Sequence, residues 1–166
     1  MHRLYSPWRG DYVTTKKSKD SSCVFCDIAK NLDKNEELGI LYRKSDIFVV
    51  MNRYPYSPGH IMIVPNTHEQ NLENLDAKTW EHMSSLVPKA VAMLKDTLNC
   101  TGVNVGLNLG KSAGAGIEEH LHMHLVPRWE KDTNFMTSIA NSRVYSVDFE
   151  NIYQKLLKIK GKYLDT

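Results

Sequence analysis

Short apolar runs of strand length are separated along the chain by turn residues and by one long stretch of helical period. Ile40 to Arg43 and Asp46 to Asn52 read as strands, the second rich in the β-branched and aromatic residues that suit a sheet. Tyr54-Pro55-Tyr56-Ser57-Pro58-Gly59 is a turn, and His60 to Val64 returns as the partner strand, closed by Pro65. From Asn71 to Leu98, the residues Leu72, Leu75, Met83, Leu86, Ala90, Val91, Leu94 and Leu98 recur at three- and four-residue steps and predict one amphipathic helix. Asp76 is its candidate N-cap, and Pro88 predicts a kink or a boundary. Gly102 to Leu109 and His120 to Val126 predict two further strands, the last ended by Pro127. A short helix is expected from Cys26 to about Lys34. A final amphipathic helix is expected around Phe149, Ile152, Tyr153, Leu156, Leu157 and Lys160. Strands joined by hairpins, with one long helix between them, predict an α+β domain on a mostly antiparallel sheet.

Composition narrows the function classes. The 166 residues are 42% hydrophobic and 24% charged, which fits one globular domain and excludes disorder along the whole chain. No run approaches the roughly 18 apolar residues of a spanning helix, and residues 1–20 carry no apolar signal region, so a cytoplasmic protein is expected. Twenty-one basic against 19 acidic residues leave +2, too little to argue for nucleic acid or a membrane surface. Residues 1–22 read as an arm in which Leu4 to Arg9 could pin to a surface and Lys16 to Asp20 is a solvated stretch. Residues 23–140 read as the domain, and 141–166 as a helical extension packed on it. Cys100 reads as a small buried hydrophobe, and His2 and His82 as surface residues.

His120-Leu121-His122-Met123-His124-Leu125-Val126 carries the chemistry. Alternation on a strand would turn three imidazoles one way and Leu121, Met123 and Leu125 into the core. Three imidazoles on one face suit either a transition metal or phosphate chemistry, with one ring as nucleophile and its neighbours as donors or proton carriers. Immediately upstream lie Asn108 and the run Gly110 to Gly116. Alone this would read as a flexible connector; beside the histidines, its small residues and backbone N–H groups favour a phosphate cradle. It is not a Walker loop, because the glycine spacing is absent.

These residues resemble the histidine triad superfamily. The likeness extends to Met51-Asn52-Arg53-Tyr54-Pro55-Tyr56-Ser57-Pro58-Gly59-His60 with Ile61 to Pro65, to Asn104 to Gly110, and to Val126-Pro127-Arg128-Trp129 with Asp132 to Phe135. That tract looks like the branch of fragile histidine triad hydrolases and bacterial diadenosine tetraphosphate phosphorylases. The resemblance implies the superfamily fold. It also implies cleavage of dinucleoside polyphosphates at the α-phosphate through a covalent nucleotidyl-His122, with water or inorganic phosphate as acceptor. By the same carry-over His124 bonds a phosphate or leaving-group oxygen, His60 orients it, and His120 completes the triad. Asn52, Asn108, Gly114 and Gly116 meet the substrate, while Phe48, Val50 and Met62 wall the base pocket or serve only as core. A homodimer with edge strands paired across its two-fold, and no organic cofactor, are implied as well. One departure bears on substrate length and acceptor: Ile117 offers no side-chain donor where relatives often place one, and Glu118 and Glu119 follow it. Two rivals remain open, a nucleoside phosphoramidate hydrolase and a non-catalytic nucleotide sensor, as does a metal-binding module.

Cys23 and Cys26 form a Cys-x-x-Cys pair without the βαβ setting of a redox motif. Zinc would need two more ligands. Matching the superfamily members that carry such a pair implies Cys23, Cys26, His68 and His120 as a closed structural zinc site; the alternative is two buried thiols.

Overall fold

The computed structural model describes residues 23–130, 132, 139 and 148–165. The N-terminal arm and most of the segment from 131 to 147, including Thr133 to Phe135 and His2, lie outside the described residues. In chain order the elements are α1 (Val24–Lys30), α2 (Asn35–Leu38), β1 (Ile40–Arg43), β2 (Ile47–Met51), β3 (Ile61–Pro65), α3 (Ala77–Leu98), β4 (Gly102–Leu107), β5 (Met123–Arg128) and α4 (Phe149–Tyr163). The strands form one antiparallel sheet in the order β1-β2-β3-β5-β4. The α+β architecture on an antiparallel sheet is therefore as expected.

The sheet is covered differently on its two faces, and strict alternation sorts the side chains between them. Ile47, Val49, Met51, Ile61, Ile63, Met123 and Leu125 point to one face and join Met83, Leu86, Ala90 and Leu94 of α3 with Ile152, Tyr153 and Leu156 of α4 in the main core. Phe48, Val50, Met62 and Val64 point to the other, where with Ile40 they pack on Phe25 of α1. Burial on both faces is why β2 and β3 are continuous apolar runs and not alternating ones. Burying each such side chain contributes about 1.5–3 kcal/mol, so these two central strands anchor everything attached to them.

Several boundaries differ from the sequence pattern, each for a local reason. The long helix starts at Ala77, where Asp76 accepts the Thr79 N–H at 3.1 Å; Leu72 to Asn74 form a separate 3-10 turn. Pro88 breaks nothing: it lies on the exposed side of α3, while Met83, Leu86, Ala90, Met93 and Leu94 hold the helix to the sheet. The first helix starts earlier than expected, at Val24, and a second short one, α2, follows it. β5 starts at Met123 and not at His120, and it runs through Pro127. At its start, the Leu121 N–H goes to the Glu69 carbonyl at 2.7 Å and the His120 carbonyl is taken by the His122 ring, so neither can join a ladder. At its end the Arg128 carbonyl accepts from Thr101 on the β4 side. Pro127 therefore faces the other way, where β3 has already ended at the Ile61–Leu125 pair, and its missing N–H costs no ladder bond. His82 is a half-buried tie, not a free surface residue: its Nδ1 lies 2.8 Å from Asp46 Oδ2 and its Nε2 3.3 Å from the Tyr42 hydroxyl.

The β2–β3 turn is closed by Gly59. Its φ of +75° suits glycine, and a Cβ there would fall 2.3 Å from Leu98 Cδ1, so the turn packs directly on the end of α3. This seats His60, the next residue, at full burial beside β5.

Candidate active site and metal cluster

The histidine-bearing face of the sheet opens on a cavity of about 450 Å³. β2 and β3 supply Val50 and Met62 to its wall, the β2–β3 turn Asn52, Tyr54 and Tyr56, and α1 Val24, Phe25 and Ile28. Gly116, Ile117 and Glu119 close it from the glycine loop, and His122 and His124 form its reactive side. Phe48 does not reach the cavity; it is fully buried behind the wall, its ring 6.4 Å from that of Phe25. Asn108 and Gly114 also lie outside the lining, on the glycine loop, where Gly110 and Gly114 take φ of +77° and +86° around a 3-10 turn. The N-terminal wall, Phe25 above all, was not anticipated from sequence, nor was Tyr56 as a contact of the histidines.

Hydrogen bonds assign the ring protons of His60, His120, His122 and His124. The Tyr56 N–H donates to His60 Nδ1 at 3.2 Å, and the Asn52 amide Nδ2 approaches the same nitrogen at 3.3 Å, so Nδ1 carries the lone pair. His60 Nε2–H therefore donates to His124 Nδ1 at 2.9 Å. That leaves the proton of neutral His124 on Nε2, a buried atom with no partner among the described residues. His122 Nδ1–H donates to the His120 carbonyl at 2.8 Å, which leaves a lone pair on its Nε2. His120 Nε2–H donates to the Pro65 carbonyl at 2.8 Å, and its Nδ1 lone pair faces the cysteines. The segment leading into β5 and the start of that strand thus present three imidazoles, each with a free ring nitrogen: Nδ1 of His120 and Nε2 of His122 and His124.

All four rings are held neutral. Burial pushes His60 down to about 3, helped by the nearby His124 and His122, and pushes His124 down to about 4, helped by His122. Burial also lowers His122, against the opposing bond to the His120 carbonyl, and lowers His120. An unfolded chain would take up protons on His60 and His124 near pH 6.5, whereas the folded one resists until near 3 and 4. The unfolded state binds more protons in that window, so stability falls as pH drops below about 6.5 and levels off below about 3–4. A melting series from pH 7 to pH 4 should show this loss, and the variant His60→Asn/His124→Asn should show a shallower slope. Equal slopes would contradict the assignment.

Beside the triad, Cys23, Cys26, His68 and His120 bring four ligand atoms within 4.8 Å of one another. Cys23 Sγ and Cys26 Sγ lie 3.3 and 3.6 Å from His120 Nδ1, and Cys26 Sγ 3.2 Å from His68 Nδ1. Ligand bonds of the length zinc makes to sulfur and nitrogen give tetrahedral edges of about 3.3–3.8 Å. With the His120 proton fixed on Nε2, the donor set can hold a metal ion. Phe25, between the two cysteines, places its ring 5.4 Å from that of His120 and 5.1 Å from that of His122.

A family model described as the HIT domain matches residues 33–131. The chain is 38% identical over 151 residues to a Mycobacterium tuberculosis protein named AP-4-A phosphorylase, covering 87% of this chain and 76% of that one. It belongs to the HIT family. Within it, the enzyme is a nucleotidyl hydrolase/transferase. Among solved structures, a Zn-bound histidine triad family protein from Mycobacterium smegmatis shares the fold at TM-score 0.69 and 24% identity, over 85% of this chain and 94% of that one. A hypothetical histidine triad nucleotide-binding protein from Sulfolobus tokodaii matches at TM-score 0.64 and 28% identity, over 86% and 92%. No helix among the described residues is long and apolar enough to cross a membrane.

Proposed function

We propose that this HIT enzyme cleaves dinucleoside polyphosphates such as diadenosine tetraphosphate at the α-phosphate, through a covalent nucleotidyl-His122. The observation that carries the reading is the tautomer chain: a lone pair on His122 Nε2 and an N–H on His124 Nε2, both on rings that line one cavity. In the first step His122 Nε2 forms a bond to the α-phosphorus while the bond to the polyphosphate leaving oxygen breaks. The electron pair leaves on that oxygen, and His124 Nε2–H donates to it or to a non-bridging oxygen. As the His122 ring becomes positive, its Nδ1–H bond to the His120 carbonyl strengthens, so the donor–acceptor pair best placed to hold the nucleophile also stabilises the charge. In the second step an acceptor oxygen displaces His122 and releases the nucleotide.

Val24, Phe25, Ile28, Val50 and Met62 give the apolar wall that a nucleobase requires. Asn52, Gly116, and Asn108 and Gly114 of the loop are assigned to substrate contacts. Cys23, Cys26, His68 and His120 would hold a zinc ion, whose contribution when bound is a structural cross-link between α1 and the start of β5. Free thiols at both cysteines are in keeping with a cytoplasmic enzyme. β4 is a sheet edge with Val105 exposed on it and Leu109 exposed just beyond it, and it is the edge we assign to a homodimer.

The likeness to the mycobacterial phosphorylase supports inorganic phosphate as acceptor. Product analysis of diadenosine tetraphosphate cleavage tests this. ADP and ATP formed only with phosphate are expected. AMP and ATP formed regardless of phosphate would make water the acceptor, and no cleavage in either condition would overturn the dinucleotide reading.

A further inference from the structure

His124 can donate only if His60 is held in one tautomer, and the groups that hold it come from the β2–β3 turn. The Tyr56 backbone N–H donates to His60 Nδ1 at 3.2 Å. The Tyr56 ring lies on the His60 ring at 4.9 Å between centroids and 29° between planes, and 5.7 Å from the His124 ring. Its own side chain is 40% exposed and lines the cavity, so the ring lies between the two histidines and the solvent. His60 itself is fully buried, and its N–H is anchored on the Ser57 carbonyl of the same turn at 3.1 Å. We infer that Tyr56 is a positioning residue: its ring caps the His60–His124 pair against water and keeps His60 neutral, while its backbone N–H and the Asn52 amide hold the Nε2–H tautomer, so that His124 presents its Nε2–H to the reacting phosphate.

The chemistry of the pair explains why a cap is needed. A protonated His60 would carry a second N–H at Nδ1, donor against donor with the Tyr56 N–H and the Asn52 amide, so the two bonds that seat the ring against His124 would be lost. The titratable groups facing His60 are His124 of β5, His122 just before that strand and the Tyr56 phenol from its own turn, none of them a carboxylate that would favour the cation. A phenol face does attract an imidazolium. Burial outweighs that attraction here, since His60 stays neutral down to about 3. The cap therefore acts by excluding water more than by its quadrupole. An aliphatic side chain of similar bulk would cover the ring less completely, because only a flat group can lie on it face to face.

The assignment of Tyr56 through His60 is independent of substrate; its kinetic consequence rests on the function proposed above. The test is nitrogen-detected NMR of the imidazoles in the zinc-supplemented full chain, for Tyr56→Ala, Tyr56→Leu and Tyr56→Phe, with kinetics on diadenosine tetraphosphate alongside. Tyr56→Ala keeps the backbone N–H and removes only the ring. In that variant His60 should keep its Nε2–H tautomer but take up a proton at higher pH than in the wild type, and kcat should fall about tenfold with KM changed less than threefold. The acidic limb of the pH profile should move to higher pH. Tyr56→Leu should fall between, and Tyr56→Phe should recover most of the loss. An unchanged His60 titration in Tyr56→Ala would overturn the inference even if KM rose, because the Tyr56 ring would then be a substrate contact only. A Tyr56→Phe variant as impaired as Tyr56→Ala would overturn it too, by assigning the effect to the hydroxyl. If the NMR result holds and no variant or wild-type protein turns over the dinucleotide, the positioning role stands and the substrate reading fails.

Discussion

Replacing His122 with Asn is expected to lower kcat for dinucleotide cleavage by on the order of 10⁴-fold while leaving nucleotide affinity within a few-fold. The asymmetry follows from which atom each side chain keeps. An asparagine amide sits near the position of the imidazole Nδ1 and can still donate to the His120 carbonyl, now held by His122 at 2.8 Å. It has nothing at the position of Nε2, so no lone pair faces the α-phosphorus. The apolar wall of Val50, Met62 and Phe25 is untouched, and binding should survive. Equilibrium binding of a non-hydrolysable analogue together with single-turnover kinetics separates the two effects. A pure nucleotide sensor would show no functional loss in this variant, and a loss of binding equal to the loss of rate would make His122 a contact and not a nucleophile.

Replacing both cysteines, Cys23→Ser/Cys26→Ser, is expected to cost about 3–5 kcal/mol and to lower Tm by about 10 °C, since each kcal/mol moves a domain of this size by roughly 2–4 °C. The cost is smaller than the whole free energy of a zinc finger because the sheet has its own core on α3 and α4. What the cluster holds is local: α1 and, with it, Phe25 against the His120 and His122 rings. Loss of that contact should raise KM about tenfold. A chelator should reproduce the drop in wild-type protein and add nothing to the variant. A variant melting within about 2 °C of wild type, with or without chelator, would show that the four residues carry no structural metal.

How much of this was readable from the chain depends on the range of the interaction. β2, β3 and the stripe of α3 are written in local periodicity, because each buries a repeating set of side chains against the same neighbour. The spacing of His120, His122 and His124 pointed to one side of a strand. It did not show that His120 would turn its Nδ1 to cysteines 97 and 94 residues away, or that the strand would begin only at Met123. That start is decided by a Leu121 bond to Glu69 and a ring bond within the triad, neither of which has a periodicity. The same holds for the cavity wall. Phe48 and Val50 are neighbours of like character on one face of β2, yet only Val50 reaches the opening, because Phe25 packs over Phe48. Phe25 itself had a signal, its place inside the Cys-x-x-Cys pair, but only the fold brings that pair against the triad. Tyr56 stood within a turn read for its prolines and glycine, and its stacking on His60 depends on the tight seating of Gly59 against Leu98.

The covalent bond at His122 Nε2 can be caught directly. Enzyme mixed with diadenosine tetraphosphate labelled at the α-phosphate, without phosphate acceptor, should be quenched in alkali and digested with trypsin. Label is expected on the peptide Ser112–Arg128, mapped to His122, stable in base and lost in acid as a phosphoramidate is, and discharged when phosphate is added before the quench. Turnover that proceeds with no labelled enzyme, or label on any other residue, would contradict it.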